Sequence, residues 1–240
     1  MFKIEENRLH NAWFTNKMKI GVIIPSTSRG QGWNNPQDSF LSKSLDSFKK
    51  TQSVEYTYQF YVGYDSDDEF YMREDVRNYY DVVWVPVSVP KGYVTHIWNI
   101  LAKIAIDDGC DYLYQCGDDI VHEKEGWVKA SIDLLLSLRN IGVTGPRDSY
   151  HSCILTQTMV HKSHVDIFGY FFPPEIPNWY CDNWISLVYP FSRISADYVS
   201  TNTGGMPRYA ISDSNNLVGE IIQRDQEKLK QYKERINATY

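Results

Sequence analysis

In the stretch YLYQCGDDIVHEKEGW, residues 112–127, two adjacent aspartates follow an apolar run with the character of a buried strand. Neighbouring carboxylates such as Asp118 and Asp119 repel each other, and burying one without a partner is costly. The pair therefore needs a cation, a shared proton or open solvent. A hard divalent cation, Mg²⁺ or Mn²⁺, prefers carboxylate oxygens and keeps coordination positions open for phosphate. A helix cap is the structural alternative, because an Asp at a helix start accepts from free backbone N–H groups. That alternative accounts well for one aspartate and poorly for two.

Around these residues, short apolar runs alternate with helical patterns. KIGVIIP (19–25) reads as a buried strand ending at a proline, and DSFLSKSLDSFKK from Asp38 as a helix with Phe40, Leu41, Leu45 and Phe48 on one side. YTYQFYVGY (56–64) is the second strand, DDEFYMREDVRNYY a helical segment, and DVVWVPV (81–87) the third strand. GYVTHIWNILAKIAIDDG carries Val94, Ile97, Trp98, Leu101, Ile104 and Ala105 at helical spacing, closed by Gly109. DYLYQC is the fourth strand, EGWVKASIDLLLSLRN a helix and IGVTGP (141–146) a fifth strand. This alternation predicts an α/β fold, a mostly parallel sheet flanked by helices. After Pro146 the rhythm changes to a strand in SCILTQTMVH, a proline- and aromatic-rich loop, and a short helix near Cys181. The end is a long amphipathic helix with Val218, Ile221, Ile222, Leu229, Tyr232 and Ile236 on its apolar side, read as packing or as a homodimer contact.

In an open parallel sheet, ligands bind beyond the carboxyl ends of the strands. The first strand runs into PSTSRG (25–30), the second into YDSDDE (64–69), the third into PVSVPKGYVTH and the fourth into Asp118 and Asp119. Hydroxyls, carboxylates, Arg29 and Lys91 would thus share one rim, although such loops are polar in general. Other phosphate and nucleophile devices are missing: GxxxxGK[ST], a GxGxxG after the first strand, and GxSxG.

Composition narrows the class. The 240 residues carry a net charge of -6, which argues against nucleic acid as a partner. Aromatics make up 15%, a composition suited to stacking on flat polar ligands. The four cysteines lack CxxC spacing and read as free thiols in a reducing compartment. His161 and His164 are three apart without a supporting carboxylate, so they suggest no zinc site. No apolar run reaches the ~18 residues of a membrane span, and the first 14 residues lack a signal-peptide core, so a cytoplasmic location is expected. A single Asn-Ala-Thr sequon at Asn237 carries little weight.

The order IIPSTSRG, an acidic loop, KGYVTHIWN and QCGDD resembles the GT-A glycosyltransferases, which use a nucleotide-sugar donor and a divalent metal. VHKSHVDIFGYFFPPEIPNWYCDNWISLVY (160–189) is similar to the acceptor half of the small GT-A enzymes encoded by large DNA viruses, which would imply host cytoplasm. The resemblance spans about residues 18 to 212 and implies one domain: a nucleotide-sugar half (18–146), an acceptor half (147–212) and a C-terminal helix (213–240).

It also implies roles. Pro25, Ser26, Thr27 and Arg29 would line the nucleotide pocket, Asp65 would hold uracil or ribose, and Lys91, His96 and Asn99 would face the nucleotide or sugar. Asp119 would match the second Asp of the family's D-x-D metal site and ligate Mn²⁺ or Mg²⁺. Asp118 would share the metal or hold the donor sugar, while Gly117 stands in place of the first Asp. Arg29 or Arg208 would neutralise the leaving diphosphate. Asp182 would be the general base of an inverting transfer from a UDP-sugar to a glycan or glycoprotein acceptor. Tyr170, Phe171, Phe172, Trp179 and Trp184 would wall the acceptor pocket, with about half of them expected in the core instead. The competing readings are a sugar nucleotidyltransferase and a non-catalytic carbohydrate- or nucleotide-binding protein on the same frame.

Overall fold

The computed structural model describes residues 17–189, 194–204 and 207–236. The expectations for the first 14 residues and for Asn237 lie outside these. Strand β1 (Lys19–Ser26) sits inside one eight-stranded sheet, with β2 (Thr57–Asp65), β3 (Val83–Val87), β4 (Tyr112–Gln115), β5 (Ile120–His122), β6 (Thr144–Asp148), β7 (Thr158–His161) and β8 (Ile194–Asn202). Their order is β3-β2-β1-β4-β7-β6-β8-β5. The pairs β1/β2, β2/β3 and β1/β4 are parallel, so the carboxyl ends of the first four strands meet on one edge. Past β4, β7 pairs antiparallel with β4 and β6, and β6 returns parallel to β8.

Alternation along the strands builds two apolar layers. On β1, Ile20, Val22 and Ile24 face one layer with α1 (Phe40–Thr51) and α5 (Trp127–Ser137), and Ile23 faces the other. That second layer holds α4 (Val94–Asp107), α6 (Ser163–Phe168), α7 (Cys181–Val188) and α8 (Asn215–Arg235). Helix α4 lies close on β2 because Gly63 has no Cβ to meet Ile97 and Leu101.

The structure departs from or adds to the sequence reading at three places. The helical segment after the second strand is two helices, α2 (Glu69–Met72) and α3 (Glu74–Tyr79), broken at Arg73, whose ψ of 138° is extended. The break follows from the short turn that Asp68 caps through Tyr71 N at 3.3 Å. Strand β6, the fifth strand of the sequence reading, is separated from β4 by β7. Strands β5 and β8 had no counterpart in the sequence reading. One is three residues long, and the other carries polar residues through SADYVSTN, which masks its alternation.

The apolar side of α8 lies against its own chain. Ile221 and Leu229 are buried in the second layer, Val218, Ile222 and Tyr232 pack beside them, and Ile236 is exposed. No helix among the described residues is long and apolar enough to cross a membrane.

Candidate active site

The carboxyl ends of β1, β2 and β4 open into a cleft of about 1150 Å³. Its lining brings together Pro25, Ser26, Thr27, Arg29 and Asp65 beyond the first two strands, Asp118, Asp119 and Arg208, and Trp179, Tyr180 and Asp182 at the start of α7. Residues from distant parts of the sequence therefore meet at the edge where the topology directs ligands.

Asp118 is 1% exposed and fully engaged. Ser26 Oγ donates to its Oδ2 at 2.5 Å, and Ser26 is itself paired with Tyr71 OH at 2.6 Å. Arg208 Nη1 donates to the same oxygen at 3.0 Å while Nη2 bonds Oδ1, a bidentate ion pair.

Asp119 differs in almost every respect. Its carbonyl accepts from Thr203 N and Oγ1, both at 2.9 Å, but the nearest cation to its carboxylate is Arg208 at 3.9 Å. Two glycines flank that carboxylate. A Cβ on Gly117 would stand 2.7 Å from Oδ1, and one on Gly204 would stand 2.7 Å from Asp119 Cγ. Burial and then the charge of Asp118 push the Asp119 carboxyl up to about 6, with Arg208 opposing. Neither aspartate caps a helix, because strand β5 follows them.

The two carboxylates of the expected metal pair are engaged in different ways. Among the described residues no group of three or more His, Cys, Asp or Glu is placed to hold a metal ion. Asp118 is held by a guanidinium and a hydroxyl, so it is not a free ligand. Asp119 fits a hard cation as a single carboxylate donor: it is partly open, without a hydrogen-bonding side-chain partner, and the glycines clear its flanks.

Beyond the ends of β1 and β2, Asp65 is ion-paired to Arg29 and, at 3.3 Å, to Lys91, which also bonds Asp67. Asp68 shapes the 25–30 loop by accepting from Ser28 N at 2.8 Å and Ser28 Oγ at 2.7 Å. Two expected donor-site residues stand off the cleft. His96 is half-buried beside the Tyr93 ring, and burial lowers its pKa. Asn99 accepts from Phe171 N and Phe172 N at 2.9 and 2.8 Å and donates to Phe172 O at 2.8 Å. All of these bonds fasten the 171–172 backbone to α4.

Asp182 lies in the first turn of α7, after Tyr180 in the left-handed region at φ 74°. Burial pushes the Asp182 carboxyl up to about 7; the Cys181 thiol, 3.6 Å away, opposes this and the charge of Asp148 adds to it. Trp179 is 46% exposed and lines the cleft. The other expected acceptor aromatics do not. Phe172 and Trp184 are wholly buried in the second layer, and Tyr170 OH and Trp184 Nε1 both donate to buried Asp225, at 2.6 and 3.0 Å. Their large apolar area outweighs any display of rings to solvent.

Sequence reasoning missed Asp148, Tyr150 and Asn178, all on the cleft lining. Asp148 ends β6 and accepts from Tyr150 N at 2.7 Å, His151 N at 3.1 Å and Thr156 Oγ1 at 2.7 Å. The strand-end rule applied to β6, as to β4, would have found it. Asn178 donates to Gly92 O and Ala210 O at 2.8 and 3.1 Å, and accepts from Trp179 N and Ser212 N at 2.7 and 2.8 Å. Three loops thus meet on one amide.

No family model and no curated protein matches the sequence. Solved structures do match in shape. S. aureus TarS 1–349 in complex with UDP-GlcNAc superimposes with a TM-score of 0.60 at 12% identity, over 87% of this chain and 66% of that one. The same fragment in complex with UDP gives 0.55 at 13%, over 88% and 65%. GalNAc-T7 with UDP, GalNAc and Mn²⁺ gives 0.59 at 11%, over 78% and 44%. The chain spans about two thirds of the TarS fragment and 38% of a longer TarS chain. At these identities the likeness shows the fold: an α/β GT-A sheet with a helix at its C-terminal end.

Proposed function

We propose that this chain is a glycosyltransferase that moves a sugar from a nucleotide diphosphate donor, a UDP-sugar, to an acceptor hydroxyl with inversion. One observation carries the reading. A single cleft joins a rim of cations and carboxylates at the strand ends to Asp182, a carboxyl whose pKa is lifted to about 7. A base serves best when its pKa lies near the working pH. The similar structures support the donor class, since TarS is in complex with UDP-GlcNAc and GalNAc-T7 with UDP, GalNAc and Mn²⁺.

In this mechanism the 25–30 loop and Asp65 hold the nucleoside, with Asp65 oriented by Arg29 and Lys91. Asp182 takes the proton from the acceptor hydroxyl. That oxygen bonds to the anomeric carbon as the bond to the diphosphate breaks, and the nucleotide diphosphate leaves with the electron pair. Trp179, exposed on the cleft lining, offers a face on which an acceptor ring stacks. A divalent cation, when bound, would be held by Asp119 and would neutralise charge on the diphosphate.

A donor screen by thermal shift, followed by transfer assays, tests the reading. A UDP-sugar should stabilise the protein and be consumed with inverted product. Asp182→Asn should lower kcat by about 10²–10⁴-fold while donor binding stays. Retention of configuration removes Asp182 as base. Donor binding without transfer to any glycan acceptor points to a binding protein on this frame.

A further inference from the structure

Two aspartates at one strand end are engaged in unequal ways, and the inequality suggests a division of labour. Resting on the glycosyltransferase reading above, with Arg208 as the side-chain cation that the resemblance assigns to the leaving diphosphate, we propose that Asp118 is the positioning residue of that guanidinium, neither a metal ligand nor a sugar ligand.

The guanidinium is placed from four directions. Nη1 donates to Thr27 O at 2.7 Å and to Asp118 Oδ2 at 3.0 Å, Nη2 bonds Asp118 Oδ1, and the charge sits over the Phe40 ring, 5.2 Å from its centroid. Three of its five N–H groups are used by described residues, which leaves two for a ligand. Its own carbonyl accepts from Arg29 Nη1 at 3.3 Å, so two arginines from opposite ends of the chain stand together on the nucleotide side.

Asp118 lacks the freedom a ligand needs. It is buried, its oxygens are taken by Arg208 and Ser26, and Ser26 is fixed in turn by Tyr71. A buried carboxylate of this kind aims its partner, and a planar fork aimed at a phosphate binds it in a fixed geometry. Both carboxylates line the cleft, but Asp119, at 3.9 Å from the same guanidinium, is the more exposed, its side chain 15% accessible against 2% for Asp118. Charge neutralisation on the diphosphate is thereby built partly into the fold. Arg208 fills the place that a second carboxylate-bound ion would need.

The test uses the full chain, a UDP-sugar that the wild type turns over, and Mn²⁺ alone as a separate probe. Arg208→Met should lower kcat by about 10²–10³-fold. Asp118→Asn should lower kcat with little change in donor KM, and the double variant should be no slower than Arg208→Met, because both act through one group. Wild type in EDTA should keep measurable turnover that Arg208→Met loses. With no donor present, Mn²⁺ should bind Arg208→Met about tenfold more tightly than wild type, since Asp118 is then released as a second ligand. If Arg208→Met does not fold, Arg208→Lys keeps the charge without the bidentate grip, and a folded variant with lowered kcat supports the proposal.

Wild-type kcat in Arg208→Met or Arg208→Lys overturns it. So does loss of Mn²⁺ binding in Asp118→Asn with Arg208→Met unaffected, which makes Asp118 a metal ligand. No turnover of any UDP-sugar by the wild type removes the glycosyltransferase reading itself, and the Mn²⁺ titrations still separate that failure from a wrong assignment of Asp118.

Discussion

Gly117 has no side chain because Asp119 occupies the space that one would need. Placing an aspartate there, the change that would restore the D-x-D pattern, puts a Cβ 2.7 Å from Asp119 Oδ1. Gly117→Asp is therefore expected to displace Asp119 and weaken Mn²⁺ binding, measured by titration, where motif reasoning expects it to strengthen. Asp182 allows a test with a defined sign. Its folded pKa, about 7, lies above the ordinary 3.8, so the charged form is the disfavoured one in the fold. The stability it supports is complete below the unfolded value and is lost as pH rises through about 7. Asp182→Asn should raise stability at pH 8, on the order of 1–4 kcal/mol, and hardly at pH 4, measured by denaturant unfolding. Wild-type kcat/KM should rise with pH through the same region, since a base works deprotonated. At this scale the sequence was partly legible. Asp118, Asp119, Asp182 and Trp179, singled out by type and place, all line the cleft, but the pairing of Asp118 with a residue 90 positions away leaves no local pattern.

Helix α8 is fixed by one buried charge as much as by its apolar side. Asp225, wholly buried, accepts from Tyr170 OH and Trp184 Nε1 and is paired with Arg224 and Lys228. These bonds tie the 170–172 loop and α7 to the C-terminal helix. Asp225→Ala leaves two donors unsatisfied and should cost about 3 kcal/mol, with faster proteolysis inside α8 as the local sign. Donor affinity should change little, because Asp225 does not line the cleft. The same cluster explains why Tyr170 and Trp184 were misjudged from sequence. An aromatic with a polar edge suits a wet acceptor pocket and a satisfied core site equally well, and the partner that decides lies 41 to 55 residues away. Helices α1, α4 and α8 were legible because their apolar spacing is long and regular. Strand β8 was not, since its alternation is broken by polar residues.

Across the whole molecule, the parallel run from β3 through β2 and β1 to β4 could be read from four apolar segments and their spacing. The antiparallel strands beyond β4 could not, because long-range pairing is set by which edge remains to be covered. The donor reading makes a prediction at this scale. A UDP-sugar at about 100 times its Kd should add roughly 2.7 kcal/mol to global stability, and the gain should show as a ligand-dependent Tm. One further consequence comes from Asn178. Its amide ties Gly92, Trp179, Ala210 and Ser212 together, so three loops of the cleft lining have a common keystone. Grafting a foreign acceptor loop onto this scaffold, an obvious route to new specificity, would fail unless the graft brings an asparagine to that place; the loops are interchangeable parts only as a set.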